Sequence, residues 1–188
     1  MATMEVMRAV EASAFERDQQ EFALGDTLDI KTGLILAGVT FLAILTGDLM
    51  KSTGVSHVEV FATIKGVAPI NSAFVRWIAL FISLLAIVGA GIFSVLVLIP
   101  RNYDREPVPT KYLSWIKETE EYRAKYPEAG VEPITAEKLI AKRVENALSN
   151  IQKNIKHNKR KSSLMFIAFN FMVVSLAMNL FTLAMRLF

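Results

Sequence analysis

Asp26 and Asp29 stand three residues apart, with Lys31 close behind them. On a helix that spacing makes the two carboxylates surface neighbours, an arrangement that general acid/base chemistry uses. The same pair also suits an interfacial turn that meets a basic cluster elsewhere in the chain, and this reading is favoured because no other reactive group accompanies the acids. His57 and Glu59 lack a second set of ligands, His157 is isolated, and no HExxH helix, serine elbow or glycine-rich phosphate loop occurs. Cysteine is absent, which removes thiolate catalysis and cysteine-ligated zinc. The expectation is a protein without catalytic residues, metal or cofactor. Asn146, Asn150, Asn154 and Asn158 recur every four residues, although asparagine is a poor helix former. Such a ladder is read either as a solvated face or as a seam between subunits, with ligand binding by the amides a third choice.

The elements that carry these residues are dominated by hydrocarbon. Of 188 residues, 53% are hydrophobic, and they cluster in three runs. Thr32 to Gly47 is uncharged, and the apolar character resumes at Leu49 and Met50 beyond Asp48; Trp77 to Ile99 and Ser162 to Met185 are uncharged throughout. A bilayer core of about 30 Å needs about 20 helical residues, so the spacing predicts an all-α integral membrane protein with three transmembrane helices. The expected division is a helix in 1–31, a span in 32–50, a loop in 51–76, a span in 77–99, a helical region in 100–161 and a span in 162–185. Buried helices of a soluble bundle would need polar faces that the second and third runs lack.

Charge placement predicts the orientation. Residues 101–162 hold 14 basic residues, including Lys153, Lys156, Lys159, Arg160 and Lys161 directly before the third run. Positive flanks stay on the cytoplasmic side, so the amino terminus and this long segment are expected inside, and the 51–76 loop and carboxyl terminus outside. Residues 1–31, with 7 acidic and 3 basic residues, do not resemble a signal peptide. They read as an amphipathic helix with Met4, Met7, Val10, Ala14 and Phe15 near one stripe, ending at Gly25.

In the segment between the second and third runs, Thr110 is expected to cap a short helix. Tyr112, Trp115, Tyr122 and Tyr126, interleaved with Lys111, Lys117, Arg123 and Lys125, suit headgroup-level or intersubunit packing. Glu118, Glu120 and Glu121 would repel phosphates, so no nucleic acid is expected as a partner. Thr135 is expected to cap the next helix, whose Leu139, Ile140, Val144, Leu148, Ile151 and Ile155 form a narrow stripe that needs a partner.

Within the bilayer no span carries a charge at its middle, which disfavours proton relays and charge-coupled transport. Ala79, Ser83, Ala86, Ala90 and Ser94, with Gly89 adjoining, form a small-residue seam in the second span, and Gly33, Ala37 and Gly38 supply small residues in the first. Asn170, Ser175 and Asn179 in the third span are costly in hydrocarbon unless bonded, so they are expected to face helices of this chain or of its copies. The inference is a homo-oligomer in a lipid bilayer. The alternative is an accessory or structural subunit ordered by another membrane polypeptide.

Two stretches resemble small bacterial membrane effectors of the Pycsar type, which act in anti-phage defence. One is Asp29-Ile-Lys31-Thr-Gly-Leu-Ile-Leu-Ala-Gly38; the other is Asn154-Ile-Lys-His-Asn-Lys-Arg-Lys161 with Ser162 to Ala168. The resemblance implies an inner-membrane protein that senses a cyclic nucleotide, directly or through a partner, and then assembles and impairs the membrane. No separate nucleotide-binding domain is evident in the sequence.

Overall fold

A computed structural model describes residues 4–52, 72–99 and 109–187. Most of the 51–76 loop, with His57 and Glu59, and the segment from 100 to 108 lie outside the described residues. Four helices follow in order: α1 (Met4–Ser52), α2 (Ser72–Leu98), α3 (Pro109–Lys125) and α4 (Ala136–Leu187), with a 3-10 turn at Pro127–Ala129. No strand occurs among the described residues. Helices α1, α2 and α4 are each long and apolar enough to cross a membrane. At about 1.5 Å per residue, α1 with 49 residues and α4 with 52 far exceed a hydrocarbon core of about 30 Å. Each therefore crosses the membrane with one part of its length and stands outside it with the rest.

The expected turn at Gly25 is absent, and the amino-terminal helix and the first span are a single helix. A helical glycine costs only about 1 kcal/mol relative to alanine, and Gly25 is itself buried, where its small size suits close packing. Thr110 likewise lies inside α3 rather than capping it. Pro109 opens that helix, a position where its missing N–H would be unpaired anyway. Thr135 does cap α4, accepting the Lys138 amide at 3.3 Å. Gly130 has φ of 63°, a left-handed conformation that favours glycine and lets the chain leave the 3-10 turn.

What packs these helices is a seven-residue repeat. In α1, every position reached from Met4 by alternating steps of three and four, as far as Leu49, is buried or half-buried. The same holds in α4 from Ile140 to Thr182 and in α2 from Arg76 to Val97, each by steps of four and three. This is the period of helices that wrap in a left-handed supercoil. It also corrects the expected stripes, because a strict period of 3.5 leaves Val10, Leu148 and Ile155 at 49%, 50% and 40% exposure.

The helices pack in two compact units. The extramembrane unit contains α1 up to Asp26, α3, and α4 up to Lys159. In it α1 and α4 run parallel, since Glu11 meets Arg143, Asp18 meets Asn154 and Glu21 meets Asn158. The membrane unit contains α1 from Thr27, α2, and α4 from Arg160. There α1 and α4 are again parallel, from Asp29–Lys161 to Ser52–Arg186. Helix α2 is antiparallel to them, with Arg76 against Met185 and Ser83 against Ser175. Its apolar core joins Ile35, Val39 and Leu42 of α1 to Ile87 and Ala90 of α2 and Ala168 of α4.

Candidate functional site

Four polar side chains of the membrane unit turn inward together. Thr46, Ser83, Ser175 and Asn179, all within 1% of full burial, form one network across three helices. The Asn179 amide donates to Thr46 Oγ1 at 2.9 Å, Thr46 Oγ1 and Ser83 Oγ lie 3.2 Å apart, and the hydroxyls of Ser83 and Ser175 lie 2.8 Å apart. Each such bond in a membrane is worth about 0.6 kcal/mol, up to about 1.7. Thr32 and Thr182 return their hydroxyls to carbonyls of their own helices. The Ser94 hydroxyl is buried without a hydrogen-bond partner.

The small residues of the second span lie on this face. Ala79, Ser83, Ala86, Ala90 and Ser94 are buried, and Gly89 is half-buried beneath Phe171, whose ring carbons lie 3.2 Å from where a Cβ would stand. In the first span Gly38 is approached by the Met172 sulfur, whereas Gly33 has no such neighbour and Ala37 is exposed. Ser175 and Asn179 belong to the network. Asn170 does not: it is exposed and donates to the Phe166 carbonyl one turn earlier in its own helix, at 2.9 Å. Sequence reasoning passed over Thr46, Thr32 and Thr182. Their places on the seven-residue repeat are the signal that finds them.

In the extramembrane unit the asparagine ladder is no solvated face; it packs against helices of the same chain. Asn150, Asn154 and Asn158 are buried and Asn146 half-buried. Asn146 donates to the Tyr112 hydroxyl at 3.1 Å, and Asn154 to Asp18 at 3.2 Å. Asn158 donates to both the backbone oxygen and the carboxylate of Glu21, at 2.7 and 3.1 Å. The Asn150 amide nitrogen is buried without a hydrogen-bond partner. Glu21, 6% exposed, also pairs with Arg17 at 2.9 Å. Further along, Arg143 pairs with Glu11 at 2.6 Å, and its guanidinium lies 4.8 Å from the Phe15 ring and 5.9 Å from that of Tyr112. A groove of about 260 Å³ adjoins it, lined by Tyr112, Leu113, Ile116, Leu139 and Arg143.

Burial raises the pKa of Asp18, and the Asn154 hydrogen bond only partly offsets that effect. The folded state therefore holds this proton more tightly than the unfolded chain, and stability falls as pH rises from the ordinary aspartate value of 3.8 through the raised folded value. Asp18→Asn removes that loss. It is expected to raise the midpoint of thermal unfolding at pH 7, with the gain shrinking toward zero as the pH approaches 3.8. Melting followed by circular dichroism across that range checks it; an equal gain at every pH refutes it.

At the start of the membrane unit Lys161, 2% exposed, grips Asp29 at 2.7 and 2.8 Å. One carboxylate of the Asp26/Asp29 pair is thus engaged by the basic cluster before the third span, while Asp26 is exposed. Lys153, Lys156, Lys159 and Arg160 are exposed. Among the described residues no group of three or more metal-ligating side chains assembles.

Three spans with inward polar groups, on helices whose packing repeat continues outside the bilayer, define a multi-pass membrane protein with an attached helical extramembrane unit. The model of the Pycsar effector protein domain matches residues 16–188. The chain belongs to that family and is a membrane effector of anti-phage defence. No curated protein and no solved structure matches it.

Proposed function

We propose that the chain answers a cyclic nucleotide by opening its polar seam, so that an assembly of copies lets ions cross the inner membrane without any catalytic step. The observation that carries this reading is the inward placement of Thr46, Ser83, Ser175 and Asn179, while Leu34, Phe41, Leu85, Val88, Phe166 and Leu180 are exposed on the same unit. In the packed state the lipid-facing surface offers ions no path. A path needs the seam groups turned toward one another from several copies. The basic flanks support an amino terminus inside and a carboxyl terminus outside.

The Tyr112–Arg143 groove is the proposed seat of the signal. A tyrosine ring can stack on a base, and a guanidinium binds phosphate strongly. Glu11 already occupies that guanidinium, so a bound phosphate competes with α1 for Arg143 and loosens α1 from α4. Helices α1 and α4 each run on as single helices into the membrane unit, which gives the loosening a route to the seam. A ligand shifts the balance only by its difference in affinity for the two states, and displacement of Glu11 supplies such a difference. A second groove, lined by Val6, Val10, Leu148 and Ile151 with Ser13 and Arg17 among them, is largely apolar although it lies outside the bilayer, and is proposed as the contact between copies.

The test exploits the absence of native cysteine. In the Thr46→Cys/Ser83→Cys variant, whose parent hydroxyls lie 3.2 Å apart, oxidation ties α1 to α2. The full chain is reconstituted in anionic vesicles holding a potassium gradient, and each common cyclic mononucleotide is added in turn. One of them is expected to discharge the gradient through the reduced variant and not through the oxidised one. Equal leakage in both redox states, or leakage with none of the nucleotides, overturns the reading.

A further inference from the structure

The membrane unit has an outward groove of about 340 Å³ between α1 and α4. Lys31 and Ser162 lie at one end, directly at the boundary of the uncharged runs, and Leu34, Met165, Phe166 and Phe169 line the part that lies deeper in hydrocarbon. Leu34 and Phe166 are 71% and 64% exposed, so these walls are open from the side.

Lys31 differs from its neighbour in the chain. The carboxylate two residues before it, Asp29, is held by Lys161 on the seam, and no carboxylate of the described residues forms an ion pair with Lys31. An exposed ammonium at headgroup depth attracts anionic lipid, and its methylene stem can lie along the apolar wall below.

We propose that this groove binds one anionic phospholipid, with its phosphate on the Lys31 ammonium and the Ser162 hydroxyl and an acyl chain along Leu34, Phe166 and Phe169. A free anion would gain the lysine but leave the apolar walls unused. A molecule with an anionic head and a hydrocarbon tail satisfies both ends at once. Because Asp29 is engaged on the opposite side, the lipid meets an uncompensated cation.

The full chain in a neutral detergent is titrated with phosphatidylglycerol, with phosphatidylcholine of the same acyl chains, and with inorganic phosphate, and bound species are counted by native mass spectrometry. One phosphatidylglycerol per chain is expected to persist where phosphatidylcholine is lost. Lys31→Gln is expected to weaken retention of phosphatidylglycerol about fivefold, the worth of one lysine near an anionic surface, and to leave phosphatidylcholine unchanged. Phe166→Ala with Phe169→Ala is expected to weaken both lipids. Lys51→Gln, at the far end of α1, is the charge-matched control and is expected to change neither. Lys31 is exposed, so its replacement leaves the packing intact. Equal retention of both lipids by the parent chain overturns the proposal, as does undiminished phosphatidylglycerol on Lys31→Gln. Phosphate adducts lost in Lys31→Gln without lipid retention also overturn it, assigning the lysine to a free anion instead.

Discussion

Lys161→Glu is expected to lower the stability of the folded chain by about 3 kcal/mol, within the range for breaking a buried ion pair. The parent ammonium is 2% exposed and sits 2.7 Å from Asp29 Oδ1; the substitution sets a second carboxylate where that cation was. Asp29 keeps 39% of its side chain in solvent, so it can hydrate in part, and the loss stays at the lower end of that range. Lys161→Met keeps the apolar stem and removes only the charge. It is expected to cost less than half as much. Restoring opposite charges in Asp29→Lys/Lys161→Glu is expected to recover part of the loss. Unfolding in detergent followed by circular dichroism reads all three; a Lys161→Glu midpoint within error of the parent refutes the assignment of Lys161 to the packing of α1 against α4.

The second large effect is an asymmetry between partners in one hydrogen-bond set. Asn158→Leu is expected to destabilise by about 2 kcal/mol, because it strips an amide donor from a nearly buried carboxylate and from the Glu21 backbone oxygen. Glu21→Leu is expected to be neutral or stabilising by about 1 kcal/mol, since it removes a buried charge. The Asn158 amide keeps its 2.7 Å bond to the backbone oxygen, and Arg17, with 57% of its side chain exposed, returns to water. If the packed seam is the resting state of the effector, Glu21→Leu also raises the dose of signal needed for membrane leakage. Equal losses from the two substitutions would show that the carboxylate contributes as much as the amide that serves it, and would refute the asymmetry.

Much of this architecture was legible in the sequence, and the misses share a cause. The three uncharged runs pointed to three membrane-crossing helices because a single apolar run of that length satisfies its own backbone in hydrocarbon only as a helix. Ala79, Ser83, Ala86, Ala90 and Ser94 recur at helical spacing and lie on the buried face of α2. The Thr135 cap and the link between Asp29 and the basic cluster followed from local chemistry. The extramembrane seam was harder to read. Its repeat is occupied by Glu11, Asp18, Glu21, Asn154 and Asn158, which look like solvent-facing residues when hydrophobicity is the guide. A stripe drawn through apolar residues alone therefore drifted onto Leu148 and Ile155. Gly25 has the look of a stop, yet the helix runs through it because its next turns are held by packing. Asn170 shows the reverse: a polar residue in a span that satisfies itself on its own backbone.

Because α1 keeps one unbroken rhythm of sevens from Met4 to Leu49, it carries something like a reading frame. One extra alanine inserted after Thr40, inside the membrane unit, would turn everything beyond it by about 100° against Ile35 and Val39. Thr46 would then swing away from Asn179 and lipid-facing Phe41 toward the interior, while the composition stayed nearly unchanged. Seven added residues would restore the phase and only lengthen the rod. The length of this helix is thus free to vary in whole heptads and in nothing smaller.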